Sequence, residues 1–346
     1  MKYKLLGSTG LRVSEVALGT MTFGTEAGWG ADKEASKKMF DAFVNAGGNF
    51  VDTANEIYTG GTSEKFTGEF IKSNRDYIVL GTKYTDAPPG EDPNRAGNSR
   101  KSMVQSLERS LKRLDTDYVD VFWVHAWDFM SPVEEVMRAL DDMVRQGKVL
   151  YLGVSDTPAW IISKANMYAH QNGLTPFSAS QIEYSLAQRT GERELLPMAK
   201  AEGMTTLGWS PLASGVLTGK YSKKKDKEGE RGRLDKVDFG TMTDKNLAIG
   251  DKVVEIAEKN GVEAATVAVA YVMQQDIIPI LGGTKPHHIE SNLNSIDFRL
   301  NDEDLNTLNE ISAVELGFPH DFLNNTKAVT YGGQFENIEH NRPYVL

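Results

Sequence analysis

Cysteine is missing from this chain, which excludes disulfides, thiolate metal sites and a thiol nucleophile together. Six histidines among 346 residues leave little material for a metal cluster, so redox chemistry would need a bound cofactor. Positive charge is also short: 38 lysines and arginines stand against 48 aspartates and glutamates, a net charge of −10. A nucleic-acid surface needs a clustered positive face, so no nucleic-acid partner is expected. No apolar stretch approaches the length that spans a bilayer, and Met1-Lys2-Tyr3-Lys4 leads into no apolar signal core. The expectation is a cytoplasmic protein with no membrane partner.

What the chain has instead is a series of short apolar runs that do not alternate with polar residues, at 16–20, 49–53, 77–83, 118–125, 149–155, 177–184, 204–210 and 277–284. Such runs suit parallel strands buried on both faces. Most are separated by segments of helical period, for example 34–44 and 103–114, with apolar residues at i, i+3, i+4 and i+7. Strand then helix, repeated eight times, predicts an α/β fold, a (β/α)8 TIM barrel forming one domain over residues 1–346. An open doubly wound sheet is the alternative, but no Gly-x-Gly-x-x-Gly follows the first run. Ahead of the barrel, two short alternating runs flank Gly7-Ser8-Thr9-Gly10, which reads as an N-terminal β-hairpin plugging the barrel bottom. Residues 221–246 are rich in Lys, Asp, Glu and Gly and read as a long loop at the rim. The residues beyond 313 are expected to form a C-terminal tail over the barrel or along its mouth.

Three of the runs end in different titratable residues, Asp52, Lys83 and His125, and Tyr58 follows the first. In a barrel of parallel strands all four emerge at the C-terminal rim, where such folds keep their chemistry. A phenol ordinarily ionises near pH ~10, and a neighbouring ammonium favours the phenolate, so Lys83 is expected to lower the Tyr58 pKa and make it a general acid. Asp52 would pair with Lys83, and His125 would hydrogen-bond a substrate oxygen or relay a proton. Taken singly, an aspartate after a strand is a cap, a strand-end lysine is solvated, and a lone histidine is structural. Convergence of all four is what favours catalysis. A strand-end lysine also suits a Schiff-base aldolase using Lys83, although Asp52 beside it should keep the amine charged.

The segments Leu18-Gly19-Thr20, Asn49-Phe50-Val51-Asp52-Thr53-Ala54 with Tyr58, Gly81-Thr82-Lys83, Trp123-Val124-His125, Gly153-Val154-Ser155, Gln181-Ile182-Glu183-Tyr184, the run from Gly208-Trp209-Ser210 to Gly219-Lys220-Tyr221, and Gly282-Gly283-Thr284-Lys285 occur in order. Together they resemble the aldo-keto reductases, from residue 6 to about residue 300. The resemblance implies a barrel enzyme that binds NADPH across the rim and passes hydride to an aldehyde or ketone, with Asp52, Tyr58, Lys83 and His125 as the catalytic set. It implies cofactor contacts from Gly19, Thr20, Met21 and Asp52; from Ser155 and Gln181 to the nicotinamide carboxamide; and from Trp209 by stacking on the ring. Ser210, Leu212, Ser214, Gly215 and Lys220 resemble the pyrophosphate loop. Gly283 falls among the cofactor-binding positions, Thr284 and Lys285 resemble the 2′-phosphate grip, His288 falls where a polar side chain contacts that phosphate, and Asn292 where adenine is held. NADP(H) is therefore the cofactor expected.

Two positions depart from the family pattern: Asp156 stands where asparagine is common, and Ser291 where an acidic residue is frequent. The family's potassium-channel β subunits suggest a second reading, an NADPH-binding sensor with vestigial turnover. Trp29, Tyr58, Trp127, Phe129 and the tail at Phe318 to Phe322 would line an aromatic pocket, which makes a small carbonyl compound, an aromatic aldehyde in particular, the expected substrate. His287-His288 is too short a cluster for a metal, and no metal is expected.

Overall fold

The computed structural model describes residues 1–221 and 240–339, and the rim loop expected at 221–246 lies mostly outside them. Ten strands run β1 Tyr3–Leu5, β2 Arg12–Ser14, β3 Ala17–Gly19, β4 Phe50–Asp52, β5 Val79–Tyr84, β6 Val119–Val124, β7 Val149–Ser155, β8 Phe177–Glu183, β9 Thr205–Trp209 and β10 Ile278–Leu281. The helices among the described residues are α1 Lys33–Asn45, α2 Thr62–Ile71, α3 Arg100–Leu114, α4 Val133–Arg145, α5 Ala159–Asn172, α6 Leu195–Ala201, α7 Asp244–Asn260, α8 Ala264–Gln274, α9 Pro286–Leu293, α10 Asp302–Ile311, α11 His320–Asn325 and α12 Lys327–Thr330. Strands β3 to β10 close into one barrel, each hydrogen-bonded in parallel to the next and β10 returning to β3. The fold is a (β/α)8 TIM barrel, and all eight runs expected to be barrel strands are barrel strands.

Burial on both strand faces explains the unbroken apolar runs. One set of side chains, Ala17, Phe50, Val79, Val121, Trp123, Ala179, Leu207 and Ile278 among them, fills the barrel interior, while Val51, Leu80, Phe122 and Val124 pack outward beneath the helices. The interior turns on Trp123, which is fully buried on β6. A Cβ on Gly153 of the neighbouring β7 would lie 2.2 Å from its ring, and one on Gly81 of β5 would lie 2.8 Å from its indole nitrogen. Those two glycines make room for an indole that no other side chain there would tolerate.

The hairpin β1–β2 is antiparallel and sits at the N-terminal ends of the strands. Gly7 N–H donates to Thr205 Oγ1 at 2.7 Å and Ser14 N–H donates to Asn49 Oδ1 at 2.7 Å, while Leu6 and Val13 enter the barrel-interior cluster. It is the bottom plug the sequence predicts. Of the two placements expected for the tail, the one along the mouth is not found. Its anchors include a His320 Nε2 to Glu194 contact at 3.1 Å and Arg193 Nε donating to Glu315 O at 2.8 Å. Phe318 is 86% and Phe322 57% exposed. The tail's described residues lie beside the segment after β8 and do not line the central cleft.

Candidate active site

Parallel strands in a barrel share one direction, so every strand's last residue reaches the same rim. Asp52 closes β4, Lys83 is the penultimate residue of β5, His125 directly follows β6, Ser155 closes β7, Gln181 and Glu183 end β8, and Trp209 closes β9. All but Lys83, which is fully buried behind them, line one cleft of about 1430 Å³.

Lys83 is fully buried. Its Nζ pairs with Asp52 Oδ2 and donates to Thr53 O at 2.7 Å, and it lies 5.4 Å from the Tyr58 ring centroid. Burial pulls the ammonium's pKa down, but the negative charge of Asp52 and the phenol beside it more than offset this, so Lys83 stays charged above its ordinary value. The Asp52 carboxyl is pushed up by burial and pulled back by Lys83, and Gln181 Nε2 donates to its other oxygen at 3.3 Å. Gln181 thus belongs to the Asp52–Lys83 cluster as well as to the cleft wall.

Tyr58 is held by a loop with a reason for its shape. Just after it, Thr59, Gly60 and Gly61 all take left-handed backbone angles (φ 49°, 64° and 88°), a conformation two glycines make inexpensive. Thr59 Oγ1 donates to Phe23 O at 2.7 Å and accepts from Ser63 N–H at 3.1 Å. On the other side of Tyr58, the buried Glu56 carboxylate lies 3.0 Å from Arg113, 3.2 Å from Arg95 and 3.5 Å from Arg109. Arg113 also grips fully buried Glu64 at 2.6 Å, and Glu64 accepts from Thr82 Oγ1 at 2.7 Å, one residue before Lys83.

The Tyr58 phenol departs from the sequence expectation. Lys83 does lower its pKa, but burial outweighs the lysine, and Asp52 and Asp156 add to burial, so the net direction is upward. The hydroxyl keeps its proton. His125 meets the Tyr58 ring edge-on, centroids 5.9 Å apart at 83°, and burial together with Lys83 lowers its pKa to about 3. Its imidazole is neutral, with Nδ1 3.3 Å from Asp86 Oδ2 but in no hydrogen bond.

The structure brings most of the expected cofactor residues to this cleft. Gly19, Met21, Ser155, Gln181, Trp209, Ser210, Leu212, Ser214, Gly215, Lys220, Gly283, Thr284, His288 and Asn292 all line it. Thr20 does not: it is fully buried, bonded to Ser63 Oγ at 2.8 Å, and holds α2 against β3. Lys285, the residue capping α9, also lies outside the lining. Ser155 belongs to the cleft wall, and its buried Oγ makes no hydrogen bond of ordinary geometry, which fits a carboxamide partner there. Of the expected aromatic pocket residues, Trp29 and Tyr58 line the cleft, but Trp127 packs against the core and Phe129 is 68% exposed.

Both departures from the family pattern acquire partners. Asp156, at φ 40°, accepts a hydrogen bond from Trp209 Nε1–H at 3.2 Å, and Ser291 Oγ donates to Glu263 on the neighbouring α8 cap. Asp86, Glu183 and Thr22 are among the lining residues not singled out in the sequence. Glu183 had a legible signal, since it stands two residues beyond Gln181 on one strand and so shares its face.

A closed eight-stranded barrel with an Asp–Lys–Tyr–His cluster at its rim defines a class of barrel enzyme, and sequence comparison gives it a family. The Aldo/keto reductase family model matches residues 15–313, and the chain belongs to that family. It is 40% identical to a norsolorinic acid reductase of Aspergillus flavus over 341 residues, covering 94% of this chain and 85% of the relative. It is 42% identical to an aryl-alcohol dehydrogenase [NADP(+)] of Phanerodontia chrysosporium over 336 residues, 92% of this chain and 87% of the relative. A Saccharomyces cerevisiae protein named probable aryl-alcohol dehydrogenase AAD4 is 39% identical over 310 residues, 86% of this chain and 94% of the relative. The protein is an oxidoreductase-family barrel, and none of its helices, among the described residues, is long and apolar enough to cross a membrane.

Proposed function

We propose that the protein reduces aldehydes or ketones to alcohols with NADPH, and that Tyr58 is the proton donor. The observation that carries this is the buried Asp52–Lys83 pair set against a protonated phenol at the mouth of a long cleft. Relatives named as a reductase and as an NADP(+)-dependent aryl-alcohol dehydrogenase support both the reaction type and the cofactor.

When bound, the dinucleotide supplies hydride. This chain's residues would do the rest. Ser155 and Gln181 would hold the carboxamide, Trp209 would stack on the ring, and the segment from Ser210 to Lys220 together with Gly283, Thr284, His288 and Asn292 would take the phosphates and adenosine. Lys285, beside Thr284 but outside the cleft wall, would lend its charge to the 2′-phosphate. Neutral His125 hydrogen-bonds the carbonyl oxygen and so polarises it. Tyr58 donates its proton to that oxygen as negative charge develops, and Lys83, held charged by Asp52, stabilises the phenolate left behind. Burial keeps the proton on Tyr58 beforehand, and the ammonium lowers the cost of releasing it.

The aldolase reading loses support from the same pair. A Schiff-base lysine must shed its proton, and Asp52 holds that proton in place. The test is NADPH oxidation measured by its absorbance against a panel of aldehydes, ketones and sugars. Multiple turnovers with aromatic aldehydes are expected. Tight NADPH binding with only a single slow oxidation would favour the sensor reading instead.

A further inference from the structure

The substrate end of the cleft is unusually acidic. Asp86, Asp156 and Glu183 line the same cleft as Tyr58 and His125. They come from three different strand ends, β5, β7 and β8, so their convergence is a property of the barrel and not of one loop. Asp86 Oδ2 lies 3.3 Å from His125 Nδ1, and Asp156 is fixed by the Trp209 indole at 3.2 Å. The three are electrostatically in touch: Asp86 raises the proton affinity of Asp156, and Asp156 that of Glu183. Burial is the larger cause in each case, and with the Asp86 side chain 42% exposed water screens these charges only in part.

The nearest cation is already committed. Lys83 is fully buried and paired with Asp52. Among the described residues lining the cleft, Lys220 is the one lysine or arginine, and it follows β9 in the segment assigned to phosphate. The same cleft is also lined by Trp29, Ile57 and Tyr58, which are apolar or aromatic. The site therefore accepts an aromatic carbonyl compound but offers a substrate carboxylate only like charge.

We propose that the mouth of this cleft selects carbonyl substrates by charge, taking neutral or cationic aromatic aldehydes and ketones and turning away those that carry a carboxylate. This rests on the carbonyl-reductase reading and specifies its substrate class. Because like charge acts on approach and binding, the selection appears in kcat/KM and in KM more than in kcat.

The test compares 4-formylbenzamide with 4-formylbenzoate, close in size and differing in charge, at pH 8 with saturating NADPH. The quantity read is the ratio of their kcat/KM values in wild type, Asp86→Asn and Glu183→Gln. Ring electronics differ between the two aldehydes but cancel when the ratio is compared across variants. The ratio is expected to fall about twofold to fivefold in each variant as one partly screened charge is removed, mostly through KM of the benzoate. Raising ionic strength from about 0.05 M to about 0.5 M should narrow the wild-type ratio as well, a readout that needs no variant to fold. A ratio that neither variant nor salt changes would overturn the proposal. No turnover of either aldehyde by wild type would overturn the reductase reading itself, which keeps the two failures apart.

Discussion

At the scale of single residues, Lys83 and His125 carry the sharpest consequences. Replacing Lys83 with methionine leaves the buried Asp52 carboxylate without its cation. Breaking a buried pair from one side costs about 3–5 kcal/mol, so Lys83→Met should lose several degrees of Tm and nearly all turnover, measured by thermal unfolding and NADPH oxidation. His125 ionises near pH 3 in the folded protein against roughly 6.5 in an unfolded chain. The folded pKa is depressed, so as pH falls below 6.5 the unfolded chain takes up a proton that the native state refuses until about 3. Stability is lost on acidification across that window, at up to about 1.4 kcal/mol per pH unit for one proton. Other titrating groups share the window, so the measurement is the difference in urea midpoint between wild type and His125→Asn from pH 7 to pH 4.5. The gap should shrink toward low pH.

Elements explain why those residues stay where they are. The loop that carries Tyr58 is clamped by Glu56 against Arg113 on α3, and Arg113 reaches through Glu64 to the strand that carries Lys83. Arg113→Met should therefore lower both stability, by about 2–4 kcal/mol for a broken, largely buried network, and kcat, with smaller change in cofactor affinity. Calorimetry and steady-state kinetics on one preparation would separate the two. Gly153→Ala places a methyl 2.2 Å from the Trp123 ring, and since Trp123 fills the barrel interior the cost should be about 1–3 kcal/mol or more.

Legibility in the sequence divides at this scale. Strands buried on both faces announce themselves as continuous apolar runs, so the whole barrel could be read, and with it the shared rim of Asp52, Lys83 and His125. The direction of the Tyr58 pKa could not, because it depends on how deeply the phenol is buried, which no residue spacing reports. Thr20 sits within a cofactor-like motif yet faces α2, one position of pleat away from Gly19. Phe129, Phe318 and Phe322 read as pocket aromatics because aromatic side chains are usually buried; here they lie in a loop and a tail and stay largely exposed, Phe318 and Phe322 meeting mainly each other.

For the whole molecule, the absence of cysteine predicts that unfolding temperature is indifferent to reducing agents, since no bridge constrains the unfolded chain. NADPH should raise the Tm as its concentration climbs, by an amount equivalent to about 2.7 kcal/mol at one hundred times Kd. NADH should do so less at equal concentration if Thr284, Lys285 and His288 meet a 2′-phosphate. The net charge of −10 runs against an anionic cofactor, so association should rely on that local grip and accelerate with salt at low ionic strength.

The most direct test of the chemistry is a rapid-mixing measurement of NADPH oxidation by an aromatic aldehyde in Tyr58→Phe beside wild type, with NADPH affinity determined for both. The expected result is a chemical step slowed about 10²- to 10⁴-fold, the span attributed to a positioned general acid, while the cofactor Kd and the melting temperature barely move. A Tyr58→Phe protein that oxidises NADPH at the wild-type rate would contradict the assignment of the proton donor and leave the Asp52–Lys83 pair without its proposed role.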